Sequence, residues 1–205
     1  QSRIWVSGCA SGEEVYSIAI LLFEFARAHG YTPNFTLLAT DISGRALRKA
    51  SSGAYFPHEI KRVPQELLDR YFLFDGEKYQ IIPSIRDNIA FARNDITLDP
   101  PFVNLDLIIC RNLLIYLKIR AQRRALLNFH FGLNQGGYMM LGPSENILDL
   151  ASSFLVLDDR WKIFQAQGAT PSIRRYLTFS DVNRPISKKI PVSTPIRQPD
   201  SFSRS

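Results

Sequence analysis

The sequence predicts a doubly wound α/β sheet carrying a small β-rich insert. Three observations point there. Short apolar runs alternate with segments of helical period from Ile4 to Gln165. The run Leu105–Cys110 is apolar almost throughout, as a central parallel strand buried on both faces should be. Between these regular units, a stretch over about 54–92 has a different character, rich in turn signals and aromatic residues.

The elements follow in order. Residues 4–7 form a short apolar run that stops at Gly8, the pattern of a buried strand. Val15, Ile18, Ala19, Leu22, Phe25 and Ala26 then recur with helical period, which predicts one inward-facing stripe on a helix over 13–28 that Gly30 stops. Residues 35–39 predict a second buried strand, ending at Thr40-Asp41. Ser43 is placed to cap a helix through Ala46, Leu47 and Ala50, closed by Gly53. Pro64 suits the first turn of a helix carrying Leu67, Leu68 and Tyr71. Residues 72–82 read as a hairpin turning at Asp75-Gly76. Residues 89–92 read as a further strand, and all three elements are assigned to the insert. The alternation then resumes with a strand over 105–110 and a helix over 119–133. That helix has Ala125, Leu126, Phe129 and Leu133 on one face, and Gly136-Gly137 breaks it. Residues 138–141 predict the next strand, and residues 154–157 and 161–165 a terminal antiparallel pair. From Gly168 onward Pro, Ser and Arg dominate without apolar period. The expected organisation is one domain over 1–167 and a linker or disordered tail over 168–205.

Composition narrows the class. Of the 205 residues 45% are hydrophobic and 21% charged, an ordinary globular balance. No apolar run approaches the ~20 residues needed to cross a bilayer, so direct membrane insertion is not expected. Cys9 and Cys110 lie in apolar contexts with no close-spaced partner, which argues against a metal site and for buried free thiols in a cytoplasmic protein. The net charge of +6 permits nucleic acid, an acidic membrane or an acidic protein as partner and selects none. Much of the excess lies in the tail, at Arg174, Arg175, Arg184, Lys188, Lys189, Arg197 and Arg204. The group Lys118, Arg120, Arg123 and Arg124 lacks the interleaved aromatics of a base-stacking surface, so no nucleic-acid partner is expected.

In a doubly wound sheet, ligands bind beyond the carboxyl ends of the strands, where the strand order reverses. Gly8 and Gly12 bracket the first strand-to-helix turn, with Glu13 and Glu14 immediately after. Acids at a helix start repel a pyrophosphate and suit a ligand with a cationic end and hydroxyls; they also suit a plain helix dipole. Asp41, ending the second strand, is placed to hold ribose hydroxyls, although it can also cap the following helix. Asn94-Asp95 and Gly142-Pro143-Ser144-Glu145 end later strands. Arg111-Asn112, with Tyr116 five residues after the arginine, leaves the tip of the apolar strand. An arginine there serves either an anionic substrate or a salt bridge to a local acid such as Asp106 or Asp95.

Four motifs in sequence resemble one family. Gly8-Cys9-Ala10-Ser11-Gly12-Glu13-Glu14-Val15-Tyr16-Ser17-Ile18-Ala19 looks like the first motif of CheR-type chemotaxis receptor methyltransferases. Ala39-Thr40-Asp41-Ile42, with Leu47, Ala50 and Gly53-Ala54-Tyr55, resembles their second-strand region. Cys110-Arg111-Asn112-Leu113-Leu114-Ile115-Tyr116 is similar to their strand-tip motif, and Leu141-Gly142-Pro143-Ser144-Glu145-Asn146 to the motif after the fifth strand.

The resemblance implies a Rossmann-like methyltransferase sheet that uses S-adenosylmethionine, releases S-adenosylhomocysteine and forms glutamyl methyl esters on the cytoplasmic helical domain of chemoreceptors. By position it implies that Gly8, Ala10, Glu13, Asp41, Asn94, Asp95, Arg111 and Asn112 contact the cofactor and that Arg111 and Tyr116 face the reacting carboxylate. No metal is implied. The family's N-terminal helical domain has no counterpart in this sequence, which implies a fragment of a longer polypeptide, and the Gly-Pro-Ser-Glu form is similar to members fused to a methylesterase. The hairpin carries one glycine, Gly76, where members that tether a receptor's C-terminal pentapeptide have a glycine-rich loop, so no such tethering is expected. Two rivals stand beside this reading: a methyltransferase for another substrate, and a non-catalytic cofactor-binding or docking module.

Overall fold

The computed structural model describes residues 1–168, so the expected linker or tail lies, from residue 169 on, outside the described residues. In chain order the elements are β1 (Ser2–Ser7), α1 (Glu13–Ala28), β2 (Phe35–Asp41) and α2 (Gly44–Ser52). Then come β3 (Ala54–Tyr55), α3 (Gln65–Tyr71), β4 (Phe72–Phe74), β5 (Tyr79–Ile81), α4 (Pro83–Arg86) and β6 (Ile89–Arg93). The last group is β7 (Leu105–Cys110), α5 (Ile119–Gly132), β8 (Leu133–Leu141), β9 (Phe154–Asp158) and β10 (Ile163–Ala166).

Seven strands form one sheet in the order β6-β2-β1-β7-β8-β10-β9. The first five are mutually parallel, while β10 runs antiparallel to both β8 and β9. The chain therefore winds outward from β1 through β2 to β6, then returns to place β7 on the other side of β1. The order reverses between β1 and β7, the point at which sheets of this class bind ligands in a crevice beyond the strand tips.

Alternation along the central strands divides the interior into two layers. Ile4 and Val6 of β1 and Ile109 of β7 face α1 and the insert, packing with Val15, Tyr16, Ala19 and Ile20. Trp5, Ile108 and Cys110 face the opposite way, onto Ala125, Leu126 and Phe129 of α5. This is the period-2 consequence of a strand buried on both faces. β3, β5 and β4 make a separate three-stranded antiparallel sheet, whose Tyr55 and Ile81 are buried in the α1 layer.

Three expectations are corrected. The strand assigned to the insert at 89–92 is β6, which pairs in parallel with β2 from Leu37↔Ile89 to Asp41↔Arg93 and so belongs to the main sheet. Phe25 faces solvent at 59% exposure, its ring 4.2 Å from that of His29. Phe23, partly buried, packs against the core instead, edge-on to Phe35 at 6.0 Å, because the buried face runs through Val15, Tyr16, Ala19, Ile20 and Ala26. Gly136-Gly137 does not end α5. The helix stops at Gly132, where a Cβ would lie 2.3 Å from the Phe102 carbonyl oxygen. The glycine pair lies within β8 at a bulge, where Leu133 pairs with Leu105 but Tyr138 already pairs with Leu107.

Candidate active site

Four loops meet the criteria of sheet position and residue type. The first leaves β1. Gly8 has φ 71°, and a Cβ there would lie 2.8 Å from the Leu113 side chain, so the β1 and β7 loops touch at this glycine. Ala10 is also left-handed, at φ 45°. Gly12, at φ 94°, starts α1, and a Cβ there would lie 2.9 Å from the Ala50 Cβ and 3.0 Å from the Tyr55 hydroxyl. The buried Tyr55 hydroxyl donates to the Ser11 carbonyl at 2.8 Å, so the insert braces this loop directly. Burial raises the Tyr55 phenol, which therefore stays protonated as a donor.

Asp41 closes β2 and performs two structural tasks at once. One carboxylate oxygen accepts the Ala10 N–H at 2.9 Å, and the other accepts the Ser43 N–H at 2.8 Å. Ser43 caps α2 by accepting the Ala46 N–H at 3.2 Å. Each Asp41 oxygen retains lone-pair capacity beyond these bonds, since an ionised carboxylate offers about four acceptor positions. Glu13 is exposed, and the Ser11 hydroxyl donates to its carboxylate at 2.8 Å.

At the tip of β6, Asn94 is 9% exposed and its backbone N–H donates to the Asp41 carbonyl at 3.2 Å. Its side-chain oxygen is buried without a hydrogen-bond partner among the described residues. Asp95 is committed to its own turn, where one oxygen accepts both the Thr97 N–H at 2.9 Å and the Thr97 hydroxyl at 2.6 Å.

Beyond β7, Arg111 pairs with Glu14 at 2.8 Å. The salt-bridge alternative named the wrong acids. Asp106 accepts the Arg3 N–H and the Asn134 amide, and Asp95 is used by Thr97. The partner comes instead from the first turn of α1, 97 residues away, because the sheet order sets β1 beside β7. The Arg111 Nε is a buried donor with no acceptor among the described residues. Asn112 is exposed at φ 57°, and Tyr116 is 79% exposed at the end of the turn Leu114–Tyr116.

Sequence reasoning placed Glu14, Tyr55 and Glu145 within motifs but gave none of them the partner that the fold supplies. Glu145 had been noted only as part of a strand-end loop; no spacing rule shows that it reaches back to Asn112, Leu113 and Leu114. The two thiols flank the same crevice without joining its chemistry. Burial, and then the Asp41 charge, push the Cys9 thiol up to about 12, and burial raises Cys110 as well. Neither is therefore expected to react with iodoacetamide at pH 8 in the folded chain. Mass spectrometry should find both labelled only after denaturation, and labelling of native Cys9 would show that the β1 loop opens.

A family profile described as CheR methyltransferase, SAM binding domain, matches residues 1–163. A chemotaxis protein methyltransferase of Listeria monocytogenes is 36% identical over 149 residues, covering 73% of this chain and 55% of that protein. A chemotaxis protein methyltransferase 2 of Vibrio cholerae is 35% identical over 158 residues, 75% of this chain and 54% of that one. An uncharacterised 104.1 kDa protein of Rhodobacter capsulatus is 40% identical over 171 residues, 82% of this chain and 18% of its own length. The chain thus spans about half the length of the chemotaxis methyltransferases it matches.

Proposed function

The chain belongs to the CheR methyltransferase family, whose S-adenosylmethionine-binding domain it carries, and from this premise we propose that it forms the catalytic part of a protein-glutamate O-methyltransferase acting on chemoreceptors. One observation carries the reading: Glu14 and Arg111 meet across the β1/β7 reversal, joining the acidic loop that suits a cationic cofactor to the loop that suits a carboxylate substrate.

The residues fit the cofactor on two grounds. Asp41, Glu13 and Glu14 make the crevice acidic, which favours a ligand with cationic groups and hydroxyls over a polyphosphate. The Asn94 side-chain oxygen is a buried acceptor awaiting a donor, as an adenine amino group would supply. Gly8, Ala10, Glu13, Asp41, Asn94, Asp95, Arg111 and Asn112 are the residues that would hold it, Asp41 receiving the ribose hydroxyls. S-adenosylmethionine supplies, when bound, a methyl group on a positively charged sulfur.

What the chain itself must do is modest. A glutamate side chain has an ordinary pKa of about 4.3, so it arrives ionised and nucleophilic at neutral pH, and no general base is required. The task is to orient one carboxylate oxygen and exclude water, and orientation alone can supply up to ~7–11 kcal/mol. Arg111 suits that task because Glu14 already balances its charge. A free guanidinium would hold the substrate carboxylate most strongly before reaction, when its charge is intact, and would lower the rate. Paired, Arg111 keeps a remaining donor for orientation without that ground-state grip. The exposed Tyr116 hydroxyl is open to the same incoming side chain.

Lys118 and Arg120, exposed at the start of α5, suit an acidic receptor helix, whereas Arg123 is engaged with Asp149 at 2.8 Å. Neither nucleic acid nor pentapeptide tethering is part of the proposal, and among the described residues no helix is long and apolar enough to cross a membrane. A second reading, a cofactor-binding module inside a larger signalling protein, is favoured by the Rhodobacter relative, of whose length the chain spans 18%. Calorimetry with S-adenosylhomocysteine, followed by transfer of labelled methyl to a receptor cytoplasmic fragment, separates the readings. Binding with base-labile label on glutamate is expected. Binding without transfer favours the module, and no binding by the folded chain overturns both.

A further inference from the structure

Glu145 is 4% exposed, yet its carboxylate has no cationic partner among the described residues' ion pairs. Four backbone N–H groups surround it instead. One oxygen accepts from Gly142 at 2.6 Å and Asn112 at 3.1 Å; the other accepts from Leu113 at 2.9 Å and Leu114 at 2.6 Å. A buried charge is tolerated only when its lone pairs are met, and here converging peptide dipoles meet them. The arrangement is tight on both sides. A Cβ on Gly142 would lie 2.7 Å from the Glu145 carboxylate and 2.8 Å from the Asn112 side-chain oxygen. Asn112 itself sits at φ 57°, in the left-handed region that asparagine adopts more readily than other side-chain-bearing residues, so the bend costs little at this position.

Three consecutive N–H groups of the β7 loop are thus fixed from the β8 loop by one side chain. The loop so fixed leads straight into the turn Leu114–Tyr116, whose own first N–H is one of the three. Neither Asn112 nor Tyr116 has a buried side chain, so packing does not hold either of them in place. We infer that Glu145 is a positioning residue for methyl transfer: its carboxylate holds the 112–116 loop in the bend that presents Asn112 and Tyr116 to the reacting groups. The inference rests on the proposed methyl-transfer reading only for its consequence in turnover, not for its effect on the loop.

The variant Glu145→Gln keeps the size of the side chain but turns an NH2 toward N–H donors, so at least one donor pair loses its acceptor. Two readouts are needed. Hydrogen exchange over residues 112–116 should become faster while β1 and α1 exchange unchanged. Turnover on the receptor fragment at saturating S-adenosylmethionine should fall about tenfold or more, with affinity for S-adenosylhomocysteine within about threefold, because displacing a substrate-facing group by a fraction of an ångström acts on the rate first. In a Tyr116→Ala background most of the turnover effect should vanish, which a merely structural role would not produce. Unchanged exchange, or unchanged turnover, overturns the inference. If Glu145→Gln does not fold, Gly142→Ala displaces the same carboxylate from the other side and is read the same way. A wild-type chain that binds S-adenosylhomocysteine but methylates nothing sinks the proposed function alone, and hydrogen exchange then decides the role of Glu145.

Discussion

Replacing Trp5 by alanine is expected to lower the free energy of unfolding by about 3–5 kcal/mol in urea titration, the range for deleting a large aromatic from a packed core. Trp5 is 1% exposed at the middle of β1, edge-on to Phe102 at 5.0 Å and to Phe129 at 5.3 Å. Its indole N–H donates to the Thr40 hydroxyl at 2.9 Å, and Thr40 is itself buried. The substitution therefore leaves a cavity between the sheet and α5 and strands a hydroxyl. Trp5→Phe should retain most of the packing and lose about 1 kcal/mol for the hydrogen bond. The consequence reaches the crevice, because the Thr40 carbonyl accepts the Cys9 N–H at 2.8 Å and Asp41 follows it. A Trp5→Ala loss well below 1 kcal/mol would mean that the α5 layer is not the rigid support described.

Asp41→Ala should weaken S-adenosylhomocysteine binding roughly 10- to 100-fold by calorimetry, the equivalent of one or two charge-assisted hydrogen bonds. Two effects combine. The ligand loses its ribose acceptor, and the Ala10 and Ser43 N–H groups lose theirs, which frees the β1 loop on which the cofactor would rest. Asp41→Asn separates them. It keeps one acceptor and is expected to fall between wild type and alanine. Unchanged affinity in Asp41→Ala would place the ribose elsewhere and remove the main support for the assignment of this crevice.

Much of the architecture was legible because its signals are local. The helix over 13–28 and the strand over 105–110 were read from a 3.6-residue period and a continuous apolar run, and both match the observed bounds. The Ser43 cap, the Gly53 stop and the hairpin at Asp75-Gly76 depend on residues a few positions apart, so they were legible as well. The reading failed where a residue's local chemistry had two outcomes. Glycine ends helices and also relieves bulges, and Gly136-Gly137 does the second because β7 lies alongside. Phe23 and Phe25, two residues apart, point to opposite sides of the helix, and the contacts of Phe23 with Phe35 and Tyr71 show which side is packed.

The candidate site divides the same way. By itself the sequence determined which residues stand at the strand ends, since each motif follows an apolar run that reads as a strand, and a sheet of this class exposes its functional groups there. The tertiary structure alone decided what those residues touch. Arg111 had two local acids named for it, Asp106 and Asp95, and its partner is neither of them but Glu14, 97 residues away; three of the four donors to Glu145 lie more than thirty residues back. The physical reason is that backbone periodicity is written in neighbours along the chain, whereas the partner of a charge is set by which loops the strand order brings side by side. The strand order places β1 against β7 and β7 against β8, and no pattern within any one segment carries that information.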